Sequence, residues 1–262
     1  MPNILDTIAQ ATRIRVDERK KLVSLEEIKE QALALKKLDY PFEKALAKEG
    51  MSFICECKQA SPSKGQIVED FPYLDIAKAY DQAGANAISV LTEPQWFKGN
   101  LEYLKEISEA VSIPCLRKDF TIDEYMIYEA RVYGASAVLL IVSLLDQEQL
   151  IKYVEITESL GMSALVECHD TNEVKIAKSA NAKIIGVNNR NLKNFSVDSS
   201  NCLRLRQEVG QDCLFVAESG IKGHSDIAAL EQAYVDAVLI GETMMLATDK
   251  ISKLKELKYG QD

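Results

Sequence analysis

From residue 51 onward, short apolar runs alternate with longer stretches in which apolar residues recur every three or four positions. The first pattern predicts buried strands and the second amphipathic helices. The expected strands are 53–58, 87–91, 113–118, 137–141, 164–167, 184–188, 214–218 and 237–240. The expected helices are 73–83, 101–110, 123–133, 147–160, 171–180, 199–209, 224–233 and 251–257. Small residues follow many of the helices, as in Ala83-Gly84-Ala85 and Tyr133-Gly134-Ala135, which fits left-handed caps. Strand and helix alternate eight times without a long antiparallel stretch, which predicts a parallel sheet. Eight units favour closure over an open sheet, so the expected fold class is α/β, a single (β/α)8 TIM barrel. No G-x-G-x-x-G turn follows the first strand, which argues against a dinucleotide-binding sheet.

Residues 1–48 read differently. The stretch 14–35 is charged, lacks Gly and Pro, and carries apolar residues at helical spacing. Ser24 followed by Glu27 fits a capping box, and Pro41 ends or restarts a helix. This part is expected to be a helical N-terminal extension of one domain spanning 1–262; the plainer alternative is a solvated arm with no role.

Six of the apolar runs end in a residue that can do chemistry or approach a ligand closely. They lead to Glu56 and Lys58, to Lys118, to Glu167, to Asn188 and Arg190, to Glu218 and Ser219, and to Gly241. Lys, Glu and Asn repeatedly placed at the same end of parallel strands build one pocket from many strands. Alternation along a strand sorts the faces. Glu56 and Lys58 share one face, and Cys55 and Cys57 the other. If the first pair points into the barrel mouth, both cysteines pack beneath the helices. By the same parity Leu139 goes with Ile141, and Leu214 and Val216 go with Glu218. The C-x-C spacing could suggest a metal, but no Cys/His pair stands nearby, so buried packing is preferred and no metal is expected.

Glu56 and Lys58, one pleat apart, can hold each other ionised. The small, Pro-broken loop Ser61-Pro62-Ser63-Lys64-Gly65 after them suits a substrate-facing turn. Lys118 at a strand tip can donate a proton or clamp an anion, and desolvation near other cations would lower its pKa. The alternative is one more surface lysine. Glu167 opposite two lysines suggests a base or a charge partner. His169, two residues on, is expected to be a cap or surface residue. Asn188 can orient a hydroxyl or carbonyl, and Arg190 offers a fork for an anion. Gly220 and Gly241 follow the seventh and eighth strands, where barrels often hold a phosphate through backbone N–H groups. Ordinary tight turns are the alternative.

Composition narrows the partners. A net charge of −9 over 262 residues argues against nucleic acid or an anionic membrane, so positive charge for an anionic ligand must be local. No apolar run approaches the ~20 residues of a membrane helix, and the first residues do not read as a secretory leader. Six scattered cysteines in apolar contexts suggest reduced thiols in a cytoplasm.

The motifs ECKQASPSKG, LRKDF, AVLLIVSLL, LVECHD, IIGVNNRNL, VAESGI and AVLIGETMM, in this order and spacing, resemble the indole-3-glycerol-phosphate synthase family over about residues 4–250. The resemblance implies Lys118 as the main general acid, Lys58 as a second lysine that binds substrate and acts in a later proton transfer, and Glu167 as general base. It implies Glu56, Asn188 and Glu218 as orienting groups and Ser61, Arg190 and Ser219 as further site positions. Phe97, Phe120, Leu139, Ile141 and Leu192 would form an apolar lining, and Gly220 and Gly241 the phosphate loops. Glu242 stands where some members carry Ser, so its N–H would donate while its carboxylate turned away. The implied reaction is the decarboxylating, dehydrating ring closure of 1-(2-carboxyphenylamino)-1-deoxyribulose 5-phosphate, with no cofactor. The expected partner is that small phosphorylated molecule, and the expected assembly a monomer or weak homo-oligomer. A phosphoribosylanthranilate or sugar-phosphate isomerase on the same barrel, or a non-catalytic phosphate-binding barrel, are the competing readings.

Overall fold

The computed structural model describes residues 4–191 and 195–260. Eight parallel strands close into a barrel: β1 (Ser52–Cys57), β2 (Ala87–Leu91), β3 (Cys115–Lys118), β4 (Ala137–Ile141), β5 (Ser163–Cys168), β6 (Ile184–Asn188), β7 (Leu214–Glu218) and β8 (Ala237–Ile240). Each pairs with its sequence neighbours, and β8 pairs with β1 in the register Ser52 to Ala237. Five strands have the bounds that the sequence suggests. β3 starts two residues late because Pro114 precedes it and has no N–H to give the ladder. Before β1 come helices α1 (Ile4–Leu22), α2 (Leu25–Ala34) and α3 (Pro41–Leu46). Around the barrel run α4 (Tyr73–Gln82), α5 (Leu101–Ala110), α6 (Glu124–Val132), α7 (Gln147–Ser159), α8 (Thr171–Ser179), α9 (Ser200–Val209), α10 (His224–Gln232) and α12 (Lys250–Tyr259). Three small elements were not legible beforehand: a two-stranded ribbon of Ala60–Ser61 with Gly65–Gln66, a 3-10 turn at Val142–Leu144, and the short helix α11 (Glu242–Leu246).

Alternation splits the core in two. Ile54, Ala87, Leu116, Ala137, Leu165, Ile184, Val216 and Ala237 fill the barrel interior, with Leu139, Ile141 and Leu239 nearer the mouth. Phe53, Cys55, Cys57, Ile88, Val90, Val138, Leu140, Val166 and Ile185 face the helices. The two cysteines of the C-x-C pair therefore lie in the outer layer, both buried. Gly84 and Gly134 close their helices at φ of +80° and +85°, a conformation that costs glycine little.

The extension is no solvated arm. Ser24 and Glu27 form the capping box that starts α2. Pro41 restarts the chain as α3, whose Phe42 and Leu46 join the interior cluster at the bottom of the barrel. The α3 backbone is tied on by Ser163 Oγ, which accepts from Glu43 N at 3.3 Å, and by Ser52 Oγ, which donates to Leu46 O at 3.3 Å. At the other end, α1 lies along the tip of β3. Arg15 reaches the fully buried Asp119 at 2.7 Å, Lys20 pairs with Asp123 at 2.7 Å, and Arg19 pairs with Glu129. Asp119 also faces Arg117 at 3.2 Å and accepts from Thr92 at 2.7 Å. Burial pushes the Asp119 carboxyl up, but Arg15 and Arg117 outweigh that and hold it below the usual carboxylate range. The extension thus seals the bottom and pins the strand that carries Lys118. Among the described residues no helix is long and apolar enough to cross a membrane.

Phe42→Ala should lower the unfolding free energy by about 3–5 kcal/mol, the cost of deleting a buried aromatic plug. A urea titration measures this, and a loss below about 1 kcal/mol would show that the ring does not seal the bottom.

Candidate active site

The C-terminal ends of the strands surround one cavity. Every candidate named from the sequence lines it except Leu192, which lies outside the described residues. At the end of β1, Glu56 and the following Lys58 point inward as parity requires and pair at 2.5 Å. Ser89 Oγ on β2 donates to Glu56 Oε1 at 3.4 Å. On β3, Lys118 Nζ lies 3.1 Å from Glu167 Oε2 on β5 and 3.3 Å from Glu218 Oε2 on β7. Asn188 Nδ2 on β6 donates to Glu167 Oε1 at 3.2 Å, while its Oδ1 accepts from Ser219 Oγ at 2.9 Å and from Arg190 N at 3.0 Å. Residues separated by up to 163 positions in sequence thus form one polar cluster on an apolar floor of Leu139, Ile141 and Leu239.

Two glycines make room for this cluster. A Cβ on Gly241 would stand 2.3 Å from Glu56 Oε2 and 2.7 Å from Lys58 Nζ. A Cβ on Gly186 would stand 2.4 Å from Glu218 Oε1. Gly241 therefore has a role in packing the ion pair that its place in a phosphate-type loop did not suggest.

The electrostatics differ from the expectation at Lys118. Burial works to discharge this ammonium, but Glu167, Glu218 and Glu56 outweigh it and hold its pKa above the ordinary value. Its close neighbours are carboxylates, so the expected lowering by nearby cations does not occur. Burial raises the Glu167 carboxyl, yet Lys118, His169 and Asn188 reverse the effect and keep it well below the carboxylate range. Glu218 goes the other way. Burial and the Glu167 charge overcome Lys118 and raise it to about 7. His169 is neither a cap nor a surface residue: its ring sits between Glu167, 3.4 Å away, and Glu173, 3.0 Å away.

One end of the cavity is aromatic. Phe97 and Phe120 pack with ring centroids 5.9 Å apart, and Ile4, Leu5 and Ile8 of α1 close the wall. Phe97 is held by Glu93, a buried carboxylate missed at the sequence level. It accepts backbone N–H groups from Gln95 at 2.9 Å, Trp96 at 2.7 Å and Phe97 at 3.0 Å. Its signal was present: β2 too runs out into polar residues, Thr92 and Glu93. The other end is cationic and glycine-rich. Ser61 and Ser63 of the β1–α4 loop line it, with Ser219, Gly220, Gly241 and Arg190. Ser219 and Gly220 adopt successive left-handed conformations, at φ of +68° and +86°, so the chain turns sharply there. The Glu242 carboxylate does not turn away. It pairs with Lys64 at 3.0 Å and approaches Arg190 at 3.9 Å.

A parallel (β/α)8 barrel with a largely buried lysine between carboxylates at its C-terminal mouth defines a barrel enzyme of the acid–base kind. Comparison with known proteins narrows this. The family model described as indole-3-glycerol phosphate synthase matches residues 5–257. The indole-3-glycerol phosphate synthase of Ruminiclostridium cellulolyticum is 55% identical over 97% of this chain and 98% of its own length. That of Leuconostoc mesenteroides is 50% identical over 97% and 98%. The chain belongs to the indole-3-glycerol phosphate synthase family, and so to the carboxy-lyases. A 3-hexulose-6-phosphate synthase structure superimposes with a TM-score of 0.66 at 16% identity, over 81% of this chain and 100% of that one, a likeness of fold alone.

Gly241→Ala and Gly186→Ala should each cut turnover by about a hundredfold, since a misplacement near 1 Å at a reacting group costs that much. Circular dichroism should show the fold retained. Turnover near that of the parent chain would mean that the carboxylates tolerate displacement.

Proposed function

We propose that the cavity binds 1-(2-carboxyphenylamino)-1-deoxyribulose 5-phosphate, with its ring against Phe97 and Phe120 and its phosphate among Gly220, Gly241 and Arg190, and closes the indole ring. One observation carries this reading: a charged, largely buried Lys118 stands between an aromatic wall and a cationic, glycine-rich end. A ligand that is aromatic at one end and phosphorylated at the other spans the cavity with its ketone near that lysine. The apolar walls fold the substrate so that the ring carbon bearing the carboxylate meets the ketone carbon, which lowers the entropic part of the barrier.

Attack forms the carbon–carbon bond and makes the ketone oxygen an alkoxide, which takes a proton from Lys118. The carboxylate leaves as CO2, and its bonding electrons restore the ring. A second proton, assigned to Lys58, lets the new hydroxyl depart as water. Glu167 then removes a ring C–H proton to give the indole. The raised pKa of Lys118 suits its part, because the ammonium keeps its proton until the far more basic alkoxide appears. The depressed Glu167 stays ionised and ready to accept. Glu56 holds Lys58, and Asn188 and Ser219 hold Glu167 in line. Glu242 and Lys64, paired at the cationic end, part or shift as the phosphate enters. Six free thiols support a reducing, cytoplasmic setting, with the enzyme a monomer or weak homo-oligomer.

Incubating the purified chain with this substrate should release CO2 and produce indole fluorescence. Lys118→Met should reduce turnover by a factor of at least about 100, the lower range for loss of a general acid, with the melting curve retained. Normal turnover in that variant would refute the assignment of the acid. Consumption of phosphoribosylanthranilate instead would favour an isomerase.

A further inference from the structure

Lys118 is shared by two buried carboxylates, Glu167 Oε2 at 3.1 Å and Glu218 Oε2 at 3.3 Å. One cation between two desolvated carboxylates does not fully stabilise both negative charges. The site needs something to decide which of them stays ionised. The second oxygens differ in their surroundings. Glu167 Oε1 receives the Asn188 amide at 3.2 Å and faces His169 Nε2 at 3.4 Å. Glu218 Oε1, equally buried, has no hydrogen-bond partner among the described residues.

We propose that His169 is a positioning residue: clamped as an imidazolium between Glu173 and Glu167, it selects Glu167 rather than Glu218 as the ionised carboxylate beside Lys118. This rests on the reading of Glu167 as the base. The clamp is built from three elements. Glu173 Oε2 on α8 faces His169 Nδ1 at 3.0 Å and also accepts the His169 backbone N–H at 2.7 Å. Glu173 is fixed in turn, because its own N–H reaches the α8 cap Asp170 at 2.9 Å. Asn201 on α9 donates to the His169 carbonyl at 3.2 Å. Nδ1 is in hydrogen-bond contact with Glu173, whereas Nε2 makes no hydrogen bond among the described residues and meets Glu167 Oε1 only as an ion-pair approach at 3.4 Å. A neutral imidazole has one N–H and would turn a lone pair toward one of these carboxylates, whereas the cation turns positive charge toward both.

The charged groups around the ring are Glu167 on β5, Glu173 and Asp170 at the start of α8, and, beyond Glu167, Lys118 on β3 and Glu218 on β7. Carboxylates are the nearer set. Burial favours the neutral ring, but Glu167 and Glu173 outweigh it and raise the His169 pKa to about 10. The split between the carboxyls, with Glu218 raised to about 7 and Glu167 depressed, follows the same asymmetry.

The chain holds two histidines, so imidazole nitrogen NMR can follow this one directly, with His224→Gln assigning the other signal. In the parent chain His169 should keep both N–H protons from pH 6 to above pH 8, against an ordinary midpoint near 6.5. In Glu167→Gln its midpoint should fall by at least one unit, a tenfold weaker hold on the proton. Neither readout needs catalysis, so both stand even if the substrate is other than proposed. In the activity arm, His169→Gln should move the acidic limb of kcat/KM upward by about one unit. Glu173→Gln should move it the same way by less. A merely structural role would lower activity at every pH and leave the limb in place. A parent midpoint near 6.5, or an unmoved limb in His169→Gln with normal parent activity, would overturn the proposal.

Discussion

A lysine ammonium kept charged inside a protein is the constraint around which this molecule is arranged. Lys118 has left most of its water, and burial alone would strip its proton. Glu167 and Glu218 touch it, and Glu56 adds its field from across the mouth. Those carboxylates need their own compensation, from Lys58, Asn188 and His169. No single segment of chain could supply this set. A closed parallel barrel does, because its strand ends converge from all sides on one mouth. Tight places follow from the crowding: Gly186 and Gly241 lack a side chain where a Cβ would strike Glu218 or Glu56.

The first helices of the chain serve the same constraint from outside. Phe42 and Leu46 fill the end of the barrel opposite the mouth, so the interior beneath the lysine is packed with apolar side chains. At the mouth, Arg15 and Arg117 hold Asp119, the residue that follows Lys118. Ile4, Leu5 and Ile8 extend the aromatic wall begun by Phe97 and Phe120. Packing of the extension and placement of the acid are therefore one structural problem, linked through the backbone at 118–120.

Much of this was legible in the amino-acid sequence because strand parity and strand ends are local features. The run ending Glu56-Cys57-Lys58 states which residues face the mouth, and the structure places them so. What was not legible depends on meetings across the fold. The pKa of Lys118 moved opposite to expectation because its neighbours, two carboxylates rather than cations, arrive from strands 49 and 100 residues away. His169 reads as a cap or surface residue because a lone histidine in a loop carries no mark of the two carboxylates that flank it. Glu93 follows a strand end but gives no sign of its role in the sequence, since it acts on backbone N–H groups that only the folded loop brings to it. The helical pattern of residues 14–35 is visible in the sequence, but which surface the apolar side of the extension covers is not.

A crystal structure with the substrate, or with a reduced analogue that cannot close its ring, measures the arrangement most directly. The ketone or hydroxyl oxygen should lie within about 3 Å of Lys118 Nζ, as a proton donor requires. The ring should rest on Phe97 and Phe120, and the phosphate should sit against the backbone N–H groups near Gly220 and Gly241. A ligand bound with its phosphate elsewhere, or with that oxygen turned away from Lys118, would contradict the account.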